Sequence, residues 1–125
     1  MFTDHLIRPM LLILLVSASL KASTQSREGQ VHFEQGRALF EEHDDSGESL
    51  QQAEEEFKRA LQLNPKHAAA MAYLGFIAAE RGQLETAETA YRKALEMSSR
   101  SPEANVGLAW LSQHNGLQKK NFFKV

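Results

Sequence analysis

Apolar and small residues recur through most of this chain with the three- and four-residue spacing of amphipathic helices. Leu50, Ala53, Phe57, Ala60 and Leu63 mark one stripe, and Leu84, Ala87, Tyr91, Ala94 and Met97 mark a second. Every member of the second stripe stands 34 residues after its counterpart in the first, and the basic pair Lys58-Arg59 returns as Arg92-Lys93. The stretch between the stripes repeats forward too. Leu74, Gly75, Phe76 and Ile77 return at the same offset as Leu108, Ala109, Trp110 and Leu111, and Gly82 returns as Gly116. A fixed period of this length implies stacked helix–turn–helix units, each too small to bury its own apolar face.

Punctuation residues divide the pattern into five helices. The first is expected over Val31 to His43, with Phe33, Ala38, Leu39 and Phe40 as its apolar members. The second starts at Ser49, whose spacing to Gln52 suits a capping box, and runs to Leu63, where Asn64-Pro65 stops it. A third is expected from His67 to Arg81, with Gly82 as its left-handed cap, and a fourth from Gln83 to Met97. Ser101-Pro102 opens a fifth, expected to end at Asn115-Gly116. If Gly36 plays the part of Gly75, the turn after the first helix is about five residues too long, and the surplus falls in the polar loop 43–49.

The spacing from Ala68 to Ser101 resembles one tetratricopeptide repeat (TPR). That pattern falls on Met71, Leu74-Gly75, Ala78, Ala87, Tyr91 and Ala94, with Ser99 where proline is usual. Ala53, Phe57, Ala60 and Pro65 hold the matching places in the preceding unit. The resemblance implies an all-α superhelix of about two helix–turn–helix repeats plus a capping helix. On this reading 31–67 is the first repeat, 68–101 the second, 102–116 the first helix of an incomplete third, and 117–125 a tail. Physical chemistry supports it independently, since Gly75, Ala78, Ala87 and Ala94 are small where antiparallel helices cross closely and Tyr91 fills the gap beside them.

The first 23 residues stand outside the repeat. Met10 to Val16 is purely apolar, a weakly basic start with His5 and Arg8 precedes it, and Ser17-Ala18-Ser19 and Ala22-Ser23 follow. This is the outline of an export signal or an uncleaved N-terminal anchor, with 24–30 as a flexible lead-in. The apolar core is too short for an ordinary transmembrane helix. The expected location is therefore periplasmic or secreted.

Composition narrows the function. A chain of 125 residues is one domain at most, and a net charge of −2 argues against a nucleic-acid binder. The carboxylates crowd into Glu41 to Glu56, which holds eight of them and no Lys or Arg, as a solvated loop and helix face would. Absence of cysteine excludes disulfides and thiol catalysis. The five histidines form no metal-binding helix pair; His43-Asp44-Asp45 with Glu48 reads as a polar loop. With no phosphate loop or nucleophile paired to a base, neither an enzyme nor a cofactor or metal site is expected.

The resemblance points instead to a protein-binding groove lined by the first helix of each repeat. The expected face takes Phe33, Arg37 and Phe40 from the first helix, and Ala69, Ala72, Phe76 and Ala79 from the third. Glu103, Val106, Trp110 and Gln113 complete it from the fifth, where Phe76 and Trp110 should stand on neighbouring helices. The lysine–asparagine–arginine clamp by which some relatives hold a C-terminal carboxylate is not matched, so a mainly apolar peptide or partner helix is the expected ligand. The expected function is a non-catalytic adaptor or scaffold. The alternative is a homo-oligomer that associates through its incomplete third repeat.

Overall fold

The computed structural model describes residues 4–122, with side chains from Pro9 to His114. Five helices follow one another: α1 (Asp4–Glu41), α2 (Glu48–Leu63), α3 (Ala68–Glu80), α4 (Leu84–Met97) and α5 (Pro102–Phe122). No strand occurs among the described residues. α1 pairs with α2 and α3 with α4, and α5 lies against both α3 and α4, so successive helix pairs stack in chain order.

The α3–α4 unit has the expected boundaries. His67 is the N-cap of α3, Arg81 is its C-cap, and Gly82 follows with φ 74°. Only glycine adopts that left-handed turn without strain. Gln83 then caps α4. At α5, the buried Ser101 Oγ accepts from the Ala104 N–H at 3.4 Å, and Pro102 occupies the first turn. Pro102 has no N–H to leave orphaned there.

Three boundaries differ from those the sequence suggests. First, 24–30 is not a separate lead-in but part of the continuous helix α1. Ser17, Ser23 and Thr24 donate their hydroxyls to carbonyls three or four residues earlier, so these polar residues are accommodated within the helix. Gly29 then lets α1 touch α2, since a Cβ there would lie 3.3 Å from the Ala60 carbonyl oxygen and 3.4 Å from Leu63 Cβ. Second, α2 begins at Glu48 behind an N-cap at Gly47, φ 75°, so Ser49 lies inside the first turn and makes no cap bond. The loop closes on Asp44, whose Oδ1 accepts from both the N–H and the Oγ of Ser46. These bonds also hold the Asp44 carboxyl below its usual pKa. Third, α5 runs through Asn115-Gly116 to Phe122. The expected tail from Leu117 is therefore helical backbone as far as Phe122, and Phe123 to Val125 lie outside the described residues.

The core forms around two aromatic rings on the second helix of each pair. Phe57 is fully buried among Phe33, Leu50, Ala53, Ala60, Ala70 and Ile77. Tyr91 is its counterpart among Ala72, Ala78, Ala87, Ala94, Ala104 and Leu111. Each ring occupies a notch cut by glycine. A Cβ on Gly36 would fall 2.8 Å from Phe57, and one on Gly75 would fall 2.5 Å from Tyr91. Both distances are shorter than carbon atoms tolerate, so only glycine permits these crossings. The shared notch also fixes the register of α1: Gly36 does take the part of Gly75, and the surplus residues do fall in the α1–α2 loop.

Polar side chains brace the joints. Glu54 receives Lys58 Nζ and Arg81 Nη1, each at 2.6 Å, which ties the body of α2 to the end of α3. The bond from Lys58 is the main reason its carboxyl is held below the usual range, with Arg81 contributing. His32 Nδ1 meets Glu56 at 2.5 Å across the α1–α2 contact. His67 joins α1 to α3: Nδ1 accepts the Ala70 N–H at 3.2 Å, Nε2 donates to Gln30 Oε1 at 3.1 Å, and the ring lies 4.6 Å from Phe33.

Two tests follow. Gly75→Ala should destabilise by about 1–3 kcal/mol, because overpacking against Tyr91 outweighs the helix-propensity gain of about 1 kcal/mol. Ser112→Ala, at an exposed position of α5, should leave the melting temperature nearly unchanged. Thermal unfolding followed by circular dichroism checks both.

His67 gives a pH dependence. Burial, the largest influence, holds its imidazole pKa below the ordinary 6.5, and the opposing pull of Glu103 and Glu34 is smaller. A depressed folded value means the unfolded chain takes up the proton first as pH falls. The stabilisation is complete above 6.5 and is lost as pH falls through the lower folded value. Thermal melts from about pH 7.5 to 5 should show wild type losing more stability than His67→Asn, whose amide oxygen can cap without titrating.

Candidate functional site

The first helices of the pairs, α1, α3 and α5, line one side of the stack. Aromatic side chains pave the α1–α3 part. Phe40 and Tyr73 meet edge-on with ring centroids 5.5 Å apart, Tyr73 and Phe76 do so at 5.2 Å, and Phe76 lies 5.5 Å from Tyr91. Between this pavement and α5 opens a hollow of about 400 Å³ lined by Phe40, Phe76, Ala79, Glu80, Tyr91, Val106, Gly107 and Trp110.

The hollow exists because of one residue that the repeat pattern did not single out. Gly107 stands 34 residues after Tyr73. Tyr73 covers Phe57 with its own ring, at 5.0 Å. Gly107 has no side chain to lay over Tyr91, and a Cβ there would fall 2.4 Å from Tyr91 Cζ. The α5 backbone therefore comes down onto Tyr91 and leaves open the volume that a tyrosine would have filled. The signal was available as the one exchange of a large aromatic for glycine at equal register.

Of the expected groove residues, the structure brings Phe40, Phe76, Ala79, Val106 and Trp110 around this hollow. Two others belong to the core and must be removed from the groove. Phe33 is buried against Phe57, His67 and Tyr73, and Ala72 is fully buried beside Ala104. The register explains both. Phe33, Ala72 and Val106 occupy one repeat position; α3 covers the first and the second lies in the α5-containing core cluster, while Val106 stays exposed. Arg37 does not line the hollow. Its guanidinium lies 3.5 Å from both Glu34 and Glu41 on its own helix. Gln113 is exposed and also stands outside, and Ala69 packs beside the first core cluster.

Phe76 and Trp110 border the same hollow, and the indole stacks on His114 of its own helix at 3.7 Å. Trp110 remains 39% exposed, against 1% or less for Phe57 and Tyr91. That contrast separates a surface aromatic from the core ones. Burial, aided by Glu80, pushes the Tyr91 phenol up to about 12, and burial also raises that of Tyr73, so both stay neutral. Among the described residues no three His, Asp or Glu side chains gather as metal ligands would. In the 43–49 loop, His43 Nδ1 bonds the Phe40 carbonyl and Asp44 bonds Ser46, so the acidic stretch closes on itself.

A search of curated proteins finds no match to this chain. The family model described as tetratricopeptide repeat matches residues 37–102, which runs from the second half of α1 to the start of α5 and exceeds half of the 125 residues. With the paired helices, the 34-residue period and the aromatic-in-glycine notches, the match leaves one conclusion: the chain belongs to the tetratricopeptide repeat family, whose members generally mediate protein–protein interaction or scaffolding and are typically non-catalytic.

Proposed function

We propose that the protein is a non-catalytic adaptor, exported from the cytoplasm, that holds an apolar peptide or helix of a partner in the hollow between α3 and α5. The observation that carries this reading is the exposed Trp110 facing a preformed, aromatic-lined hollow. A few aromatic anchors in such pockets supply most of the energy of an interface. The hollow is already open, so little ordering free energy has to be offset on binding.

Matched affinity capture from the native compartment tests it. Trp110→Ala and Ala79→Phe should keep wild-type helicity and melt within a few degrees of it, because both positions are at least partly exposed. The first removes the anchor and the second fills the hollow; each should weaken a partner captured by wild type about 30-fold or more. A partner held equally by all three folded proteins overturns the groove reading.

Export rests on the N-terminal third of α1. Met10 to Val16 are all more than half exposed and touch neither core cluster, so the repeats do not use them. Among the described residues no helix is long and apolar enough to cross a membrane. An export core leaves this stretch dispensable once its task is done. N-terminal sequencing of protein purified from its source should begin between Ser19 and Thr24, and an intact Met1 in a soluble cytosolic fraction contradicts export.

One observation favours a second reading, assembly of copies through α5. Ala109 stands 34 residues after Gly75, yet it is exposed where Gly75 is covered by Tyr91. A monomer in sedimentation supports the adaptor; a stable dimer supports assembly.

A further inference from the structure

We infer that Tyr91 is the polar anchor of the hollow: its hydroxyl donates to a main-chain carbonyl of a partner segment whose aromatic side chain enters the space beside Gly107. This rests on the groove reading above and adds a binding residue and the chemistry of the ligand. Phe57 and Tyr91 hold the same repeat position, and both rings are core. Phe57 fills the Gly36 notch with no hydroxyl, so the packing the two rings share does not call for one. They differ in what lies over them. Tyr73 covers Phe57, whereas Gly107, at the register of Tyr73, lies over Tyr91. The hydroxyl is thus found where the covering ring is missing.

A buried phenol ordinarily finds a hydrogen-bond partner inside the protein. Tyr91 is 1% exposed, yet its hydroxyl has no partner among the described residues; burial and Glu80, with no hydrogen bond, raise its pKa to about 12. Among the described residues no polar atom sealed from solvent is left unsatisfied, so the Tyr91 oxygen keeps an opening. Gly107 places that opening. A Cβ there would fall 2.4 Å from Cζ, the carbon that bears the hydroxyl, and Gly107 and Tyr91 both line the hollow. A neutral phenol donates one hydrogen bond, and a main-chain carbonyl is the acceptor every peptide segment carries. Apolar pockets with a few placed polar groups fix a ligand's orientation in this way. The aromatic part of the ligand follows from the first pair of helices. Tyr73 packs against Phe57 at 5.0 Å and Phe76 at 5.2 Å. One repeat later those partners are Tyr91 and Trp110, and the ring between them is gone. A phenylalanine or tyrosine of the partner restores it.

Trp110 is the only tryptophan and reports occupancy directly. The full chain and its Tyr91→Phe variant would be titrated with two blocked, uncharged peptides, Ser-Leu-Phe-Leu-Ser and Ser-Leu-Ala-Leu-Ser. Wild type should bind the phenylalanine peptide about tenfold or more tightly than the alanine one. Tyr91→Phe keeps the ring in its notch, so it should melt within a few degrees of wild type. It should bind the phenylalanine peptide about three- to tenfold more weakly, the effect of one lost neutral hydrogen bond. Equal binding by wild type and Tyr91→Phe overturns the role of the hydroxyl and leaves the groove reading intact. A melting temperature far below wild type assigns the hydroxyl to the fold and overturns it too. Equal binding of the two peptides overturns the aromatic ligand. Failure of both peptides to perturb Trp110 overturns this inference and the groove reading together.

Discussion

An aromatic ring seated in a glycine notch sets the geometry of everything else in this protein. Phe57 meets Gly36, and Tyr91 meets Gly75 on one side and Gly107 on the other. Burying such a ring is worth roughly 1.5–3 kcal/mol, a large share of what so small a stack can hold in total. The ring can be buried only if the facing helix has no Cβ at the crossing. The contact therefore specifies helix spacing, axial register and pairing at once. The alanines at 53, 60, 87 and 94, fully buried, keep the same faces narrow on either side of each ring.

The hollow is a by-product of the same rule applied unevenly. Where the α3 helix carries Tyr73, a second ring covers Phe57 and the space between units is filled. Where α5 carries Gly107, backbone takes the place of that second ring and the volume opens toward Phe76 and Trp110. A similar inequality runs through Phe33, Ala72 and Val106, which hold one repeat position and pass from core to surface along the stack. The open surface of this fold thus lies where the chain departs from the repeat, since strict repetition produces only packing.

The repeat itself was legible in the sequence because packing imposes it at many positions. The 34-residue offset, the small residues and the paired rings all agreed, and even the surplus loop residues could be assigned from Gly36. The two groove errors have a common source in contacts between units. Phe33 and Ala72 look like groove residues on an isolated helix, and only the helix of the next unit buries them. Gly107 was overlooked because it matches no position of the pattern, although its exchange for Tyr73 was visible. The helical run through 24–30 leads into Gly29, which meets Ala60 and Leu63, residues that lie far along the chain. At Ser49 the spacing to Gln52 was right for a cap, but the bonds from Ser46 to Asp44 bring Gly47 to that position instead.

A double-mutant cycle between Gly75 and Tyr91 tests the ring-in-notch constraint most directly. Stability to denaturant would be measured for wild type, Gly75→Ala, Tyr91→Leu and the double variant. If the notch exists to receive the ring, alanine at 75 is costly beside Tyr91 and close to neutral beside leucine, with a coupling energy of about 1–3 kcal/mol. Additive effects, with a coupling near zero, would show that the glycine and the ring act independently and would contradict the constraint on which the fold and the hollow are explained.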